Sequence, residues 1–284
     1  MTSPSTGTAM GARFLLEVRK LPAFIRRDFL TAWSYRMAFF GDAVGLAVQI
    51  VMFYFIGLMV DPSKIPEYGG QRASYLAFVT IGIALGAFLS LGLNRVATAM
   101  RSEQLMGTLD SLFMTPTHPM TLQLGLAVYD LVYVPIRTAL FIGIVSILFN
   151  IGIAPSGILP SLAILLLFIP FVWGLGMVSA AGVMTFRRGT TILNLGALAL
   201  NFSSGAYFPV DLLPGWMQDL ARANPIALAF DGTRQALLGG AGWKAVTPHI
   251  GIFIGAAALS LTIGAIALNL SLRRERRRGT FGQY

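Results

Sequence analysis

Three ionisable residues lie inside segments that are otherwise apolar, and chemistry or substrate contact is expected first at these positions. Asp130 and Arg137 share one apolar segment, seven residues apart, so a helix places them on nearly the same face. Asp42 lies near the start of another apolar segment. Burying charge in hydrocarbon costs about 3 kcal/mol or more, which makes these residues candidates for a substrate path. A structural pairing of Asp130 with Arg137, or with a neighbouring helix, is the alternative, and both interpretations stay open.

The lysines exclude one common way of binding nucleotide. A phosphate-binding P-loop ends in Lys followed by Ser or Thr. In this chain Lys20 precedes Leu, Lys64 precedes Ile and Lys244 precedes Ala. The chain is therefore not expected to hydrolyse nucleotide by that route. Cysteine is absent, which excludes disulfides and thiolate zinc sites.

The composition is that of a polytopic membrane protein. Of the 284 residues, 55% are hydrophobic and 12% are charged, whereas soluble domains carry roughly 25% charged residues. Mean hydropathy is +0.71. The formal net charge of +9 would favour nucleic acid as a partner of a soluble protein, but here the distribution of the charges between loops matters more. No nucleic-acid partner is expected.

Six segments are long and apolar enough to cross the hydrocarbon core, which takes about 20 residues. They are Met37–Val60, Tyr75–Leu93, Leu122–Asn150, Ile158–Thr185, Thr191–Phe208 and Val246–Leu272. The fifth is the weakest, because Asn201, Ser203, Ser204 and Gly205 dilute it. The predicted fold is an all-α membrane protein with one membrane domain at 37–272, preceded by a cytoplasmic N-terminus at 1–36 and followed by a basic tail at 273–284.

Lys and Arg are concentrated in connections on one side of the membrane, which predicts that this side is cytoplasmic. It carries Arg13, Arg19, Lys20, Arg26, Arg27, Arg36, Arg95, Arg101, Arg187, Arg188, Arg273, Arg274, Arg276, Arg277 and Arg278. The opposite side carries Lys64, Arg72, Arg222, Arg234 and Lys244. Both termini are therefore predicted to be cytoplasmic. His118 and His249 then fall on opposite sides, so no metal site is expected.

Three further segments are amphipathic and too short or too polar to span. Residues Arg13–Arg36 place apolar side chains on one helical stripe and Arg19, Arg26 and Arg27 elsewhere, which favours a helix in the membrane interface over a generic basic cluster. The outer connection from Pro209 to Lys244 predicts two short helices that dip into the outer leaflet as a re-entrant hairpin. Within Met100–Pro119 an apolar stripe recurs at helical spacing: Leu105, Leu109, Leu112 and Phe113.

Intramembrane proteolysis is a rival function that the motifs support poorly. Tyr129-Asp130 resembles half of an intramembrane aspartyl protease site, but no later aspartate follows Gly-x-Gly. Ser204-Gly205 resembles the rhomboid Gly-x-Ser-Gly motif, but residue 202 is Phe. An ion-coupled carrier would show paired inverted halves, which are not visible. A membrane scaffold protein remains the rival without transport.

Two longer motifs resemble the membrane (permease) subunits of ABC transporters of the type-2 exporter class. "RSEQLMGTLDSLFMTP" resembles the family's cytoplasmic segment between the second and third spans, and the matching residues are Glu103, Gly107, Thr108, Leu109, Asp110, Thr115 and Pro116. "SGAYFPVDLLPGWMQDLARANPIALAFDGTRQALLGG" resembles the fifth-span exit and outer hairpin. Its matching residues are Ser204, Gly205, Phe208, Pro209, Pro214, Trp216, Asn224, Pro225, Asp231 and Arg234.

The resemblance implies an exporter subunit that is not catalytic by itself. The segment Glu103–Phe113 would be the coupling helix that docks into a groove on a separate ABC ATPase, a contact that its apolar stripe suits; a helix lying on the lipid surface is the alternative. Two ATPase copies would bind ATP and Mg, and this chain no cofactor. A second permease copy, forming a homodimer or a heterodimer, is expected in a bacterial or archaeal cell (inner) membrane. Drugs, lipids and lipid-linked glycans are the substrates that the resemblance implies.

Overall fold

The computed structural model of the chain describes residues 22, 25–26, 29–30, 36–105, 119–185 and 189–278. These residues are mostly helical, as their composition predicts. The helices are α1 (Arg36–Gly57), α2 (Tyr75–Leu105), α3 (Pro119–Leu148), α4 (Ile158–Thr185), α5 (Gly189–Ser203), α6 (Gly215–Ala223), α7 (Pro225–Leu237) and α8 (Ile250–Arg278). Two-residue strands β1 (Glu67–Tyr68) and β2 (Gln71–Arg72) pair antiparallel between α1 and α2.

Three stretches of the described residues are long and apolar enough to cross a membrane: Tyr75–Arg95, Pro155–Thr185 and Gly242–Arg274. Shorter apolar helical stretches occupy Val44–Gly57, Tyr133–Leu148 and Leu193–Ser203. Large apolar side chains also lie on the outer surface of the helix assembly, for example Phe55, Ile147 and Leu259. An apolar surface of this kind is what a lipid environment accommodates. The chain is therefore a multi-pass membrane protein, with helices in all six predicted segments.

The largest departures of the helix boundaries from the predicted segments are at the ends of α2, α8 and α5. α4 has the predicted bounds, but α2 continues to Leu105 and carries Glu103 in its last turn. α8 continues to Arg278, so the first part of the predicted basic tail extends the last helix. α5 ends at Ser203 and not at the predicted Phe208.

Gly205 explains the early end of α5. Its φ of +74° is a left-handed conformation that glycine adopts without a steric penalty. The Gly205 N–H donates to the Phe202 carbonyl at 3.3 Å, and the Ala206 N–H donates to the Asn201 carbonyl at 3.1 Å. These two bonds form a Schellman motif, which terminates a helix and satisfies its last carbonyls. The predicted fifth span is thus a helix of 15 residues followed by a sharp turn.

Helix α4 is the centre of the assembly and packs along both α2 and α8. Small residues permit this close approach, because a Cβ on Gly174 would meet the backbone of Ser260 and one on Gly92 would meet Val172. One hydrophobic core fully buries a phenylalanine from each of α4, α7 and α8: Phe168, Phe230 and Phe253.

The connection between α5 and α8 forms the two short helices that the sequence predicts. Asn224 separates them, because it ends α6 and its side-chain oxygen accepts a hydrogen bond of 3.0 Å from the N–H of Ile226 at the start of α7. An N-cap of this kind satisfies a backbone donor at a helix start. Helix α6 is largely exposed, whereas α7 is largely buried against α4 and α2.

Candidate functional site

Arg234 is the most deeply buried charged side chain among the described residues and joins three elements. It is 3% exposed. From α7, its Nε donates to the carbonyl of Phe78 in α2 at 3.1 Å, and its Nη2 donates to the carbonyl of Ala206 beyond α5, also at 3.1 Å. The guanidinium carbon lies 3.5 Å from the centre of the Phe78 ring. A planar fork stacked on an aromatic ring is a geometry that Arg makes and Lys does not.

The backbone around Arg234 is shaped to admit it. Gly82 stands one turn after Phe78 in α2, and a Cβ there would meet the Ala206 carbonyl and lie 2.7 Å from Arg234 Nη2. The Schellman turn at Gly205 aims the Ala206 carbonyl toward the guanidinium. The sequence thus places one glycine, Gly82, within α2 and another, Gly205, at the end of α5. Together these two glycines leave space for one buried cation.

Asp231 and Tyr68 extend this cluster toward the β-hairpin. The Tyr68 hydroxyl donates to Asp231 Oδ1 at 3.4 Å, and Gln235 Nε2 donates to Asp231 Oδ2 at 2.6 Å. Burial raises the pKa of Tyr68, so its hydroxyl keeps its proton and remains a donor at neutral pH. Burial also lowers the pKa of Arg234 to about 10, at which the guanidinium stays charged at neutral pH. We call Tyr68, Phe78, Ala206, Asp231, Arg234 and Gln235 the Arg234 cluster.

A second set of contacts holds the exit of α5 against neighbouring elements. Asn224 Nδ2 donates to Ser204 Oγ at 3.0 Å, and the Tyr75 hydroxyl donates to the Tyr207 carbonyl at 3.1 Å. The Tyr207 ring stacks on Phe53 of α1, with centroids 5.4 Å apart and planes 7° apart. The exit of α5 is therefore held by α1, α2 and α7 together.

Arg137 lies away from this cluster, in a cleft between α1, α2 and α3. The side chain is half-buried. Its neighbours in the cleft are nearly all apolar: Leu46, Ala84, Ala87, Phe88, Leu91, Val134, Thr138 and Phe141. A cation in an apolar cleft is the arrangement expected of a substrate path or of a structural pair.

The other predicted site residues divide into three groups. Asp42 lies in α1 and Asp130 in α3, and the structure describes the backbone of both. Glu103 and Leu105 are in the last turn of α2, whereas Gly107, Thr108, Leu109, Asp110, Leu112 and Phe113 lie outside the described residues. Of the hairpin residues, Arg234 and Pro209 are buried, Asn224, Pro225 and Asp231 are half-buried, and Pro214 and Trp216 are exposed.

Most of the predicted interface helix also lies outside the described residues. At the positions that are described, Pro22, Ile25, Arg26, Phe29 and Leu30 are helical, and Phe29 and Leu30 are about half exposed.

Sequence reasoning missed the partners of Arg234. Tyr68 and Phe78 carry no motif, and Gly82 is recognisable only as a small residue that favours close helix packing. Another missed contact joins α5 to α2, where Asn201 Nδ2 lies 3.4 Å from Ser90 Oγ and its Oδ1 lies against Gly86. A buried Asn in an apolar segment is the one signal that predicts such a polar contact between helices.

Comparison with known proteins identifies the family. The profile of the family described as ABC-2 type transporter matches residues 19–238. The chain is 24% identical over 271 residues to the probable doxorubicin resistance ABC transporter permease protein DrrC of Mycobacterium tuberculosis, covering 93% of this chain and 89% of that protein. It is 32% identical over 102 residues to the linearmycin resistance permease protein LnrN of Bacillus subtilis, covering 36% of this chain and 26% of that protein. The LnrN match therefore spans about a quarter of that relative's length.

The family is one of transport permease subunits, which are generally not catalytic, and membership in it implies an ABC ATPase partner. Three observations support the same family: the apolar helices, the two motifs that resemble this family, and the match over residues 19–238. The chain belongs to the ABC-2 type transporter family, as a membrane permease subunit of an ABC exporter.

Proposed function

We propose that the chain moves an amphiphilic drug or lipid-like substrate outward across a bacterial or archaeal inner membrane. The names of two relatives carry this proposal, since one is a doxorubicin resistance permease and the other a linearmycin resistance permease. ATP and Mg would be bound by two copies of a partner ATPase and not by this chain. A second permease copy, in the simplest case an identical one, would complete the path.

The proposed topology has six spans, both termini in the cytoplasm and the α6–α7 hairpin entering the outer leaflet. The asymmetry of Lys and Arg supports the orientation. The burial of α7 against α4 supports entry of the hairpin, because irregular backbone at membrane depth must be covered by protein. α5 spans about 22 Å at 1.5 Å per residue, and the turn with Ala206–Phe208 would complete its crossing.

The proposed coupling element is the segment Glu103–Phe113, which docks into the ATPase. Its start in the last turn of α2 supports this role, because a docked segment there would move α2 directly. Asp42, Asp130 and Arg137 are the proposed polar positions of the substrate path. What supports the assignment of Arg137 is that its neighbours are mostly apolar, since an amphiphile needs apolar walls with a few polar groups.

The test is export by the reconstituted complex. Proteoliposomes holding this chain and the ABC ATPase that co-purifies with it are loaded with ATP on the ATPase side and offered doxorubicin or linearmycin. We expect ATP-dependent movement of at least one of the two compounds toward the outer face. Movement of neither compound, with a complex that binds and hydrolyses ATP, would contradict the proposed substrate class.

A further inference from the structure

Helix α2 connects the two ends of the molecule that transport must coordinate. It is a continuous helix of 31 residues. Phe78, near its outer end, accepts the hydrogen bond from Arg234, and Glu103, near its inner end, begins the proposed coupling segment. These residues are 25 positions apart, which is about 38 Å along a helix.

Arg234 joins α2 to the α6–α7 hairpin through a hydrogen bond with a charged donor, since its Nε donates to the Phe78 carbonyl. Two of its five N–H donors bind carbonyls of different elements, one in α2 and one at the α5 exit. The ring of Phe78 covers the guanidinium face, and Gly82 gives the space in which all three meet. Separation of the hairpin from α2 and the α5 exit would therefore leave a buried cation without these two acceptors and the Ala206 carbonyl without this donor.

We propose that Arg234 is a positioning residue that latches the outer hairpin and the exit of α5 to α2, so that both follow α2 when the ATPase moves it. The inference rests on the proposed function, because it takes the inner end of α2 as the point at which the ATPase acts. The latch consists of Phe78, Gly82, Ala206 and Arg234. The ATPase would then open the outer side of the permease by moving α2, and Arg234 would transmit that movement to the hairpin and the α5 exit.

Two variants disrupt the latch, one by changing Arg234 and the other by changing Gly82 of α2. Arg234→Lys keeps the charge but loses the planar fork and its stacking on Phe78. Gly82→Ala leaves the arginine intact and places a methyl group against the Ala206 carbonyl and Arg234 Nη2. In proteoliposomes with the ATPase, each should hydrolyse ATP within about twofold of the wild-type rate while exporting about tenfold less doxorubicin or linearmycin per ATP, a typical coupling effect.

Asn224→Ala is the matched control, since it weakens the hairpin through the α7 N-cap and Ser204 without touching α2 or Arg234. A merely structural defect lowers export and hydrolysis in parallel, so the control should keep the wild-type ratio of substrate to ATP. Wild-type ratios in Arg234→Lys and Gly82→Ala would overturn the latch, as would an equal fall of the ratio in Asn224→Ala.

A distance measurement decides the question without any substrate. The chain has no native cysteine, so spin labels can be placed at Ser74, beside the start of α2, and at Asp219 in α6, both of which are exposed. In the wild-type complex the distance between labels should not change on adding ATP and vanadate. In Arg234→Lys and Gly82→Ala the distribution of distances between the two labels should shift or broaden on adding ATP and vanadate. An identical response in wild type and both variants overturns the latch, whereas failure of the wild type to export either compound contradicts only the proposed substrate class.

Discussion

A buried guanidinium stabilises a fold only when its donors are satisfied, and Arg234 shows how this is achieved at residue scale. The cost of removing a charge from water is several kcal/mol. Two backbone carbonyls, one aromatic face and the nearby Asp231 offset it here. Removing the arginine without replacing it would leave the carbonyl of Ala206 without this donor in a site that water does not reach, which costs about 1–3 kcal/mol.

Asn224 gives a prediction at the same scale. Asn224→Ala removes the N-cap of α7, which contributes about 1 kcal/mol, together with the hydrogen bond to Ser204. We expect the thermal midpoint of the detergent-purified chain to fall by about 2–4 °C. Asn224→Ser keeps a capping oxygen and should lose less. Equal midpoints for wild type and Asn224→Ala would show that the cap does not stabilise the outer hairpin.

At the scale of elements, the predicted coupling helix must be polar enough to stay out of the membrane and apolar enough to fill a groove. Leu109→Asp would place an unpaired carboxylate in that contact, and burying such a group costs several kcal/mol. We expect ATPase recovered per permease in a pull-down to fall at least tenfold, since about 1.4 kcal/mol corresponds to a factor of ten. Expression and membrane insertion should be unchanged.

Ser111→Asp is the control for that variant. It adds the same charge to the same segment, at a position that helical spacing places away from the apolar stripe. Its ATPase recovery should stay close to wild type. Normal recovery and normal export by Leu109→Asp would mean that the segment is not the coupling element and favour a helix that lies on the lipid surface.

The orientation of the elements is testable with single cysteines. Because the chain has none of its own, one introduced residue gives an unambiguous signal. In intact cells a membrane-impermeant maleimide should label cysteine at Asp219 or Lys64, and should not label it at Glu103 or Arg188 until the membrane is permeabilised. Labelling at position 103 from outside would reverse the proposed topology.

At the scale of the whole molecule, the chain should depend on another protein for energy. No lysine precedes Ser or Thr, so the P-loop geometry that holds nucleotide phosphates is absent from the sequence. The purified permease should therefore show no ATP hydrolysis above buffer, and adding its ATPase partner should restore activity. Hydrolysis by a preparation shown by mass spectrometry to lack any ATPase would refute the division of labour between two subunits.

Residue composition and local patterns were enough to predict the class of protein, the approximate position of the helices and the two short helices between α5 and α8. Apolar length and the placement of Pro214, Asn224-Pro225 and Gly239-Gly240 are local signals, and local signals are sufficient to predict that these helices form and approximately where they lie. The end of α5 was misplaced because an apolar run after Gly205 hides the change of backbone direction that one positive φ produces.

The contacts of Arg234 follow from the packing of the helices and not from the sequence around it. The sequence places it in a family motif and in the connection from Pro209 to Lys244, and indicates no partner for it. Its acceptors are the carbonyls of residues 156 and 28 positions away. Every residue carries such a carbonyl, so neither spacing nor residue type distinguishes Phe78 and Ala206 as partners. That choice depends on the crossing of α2, α7 and the α5 exit at Gly82, which is a property of packed helices and not of any one segment.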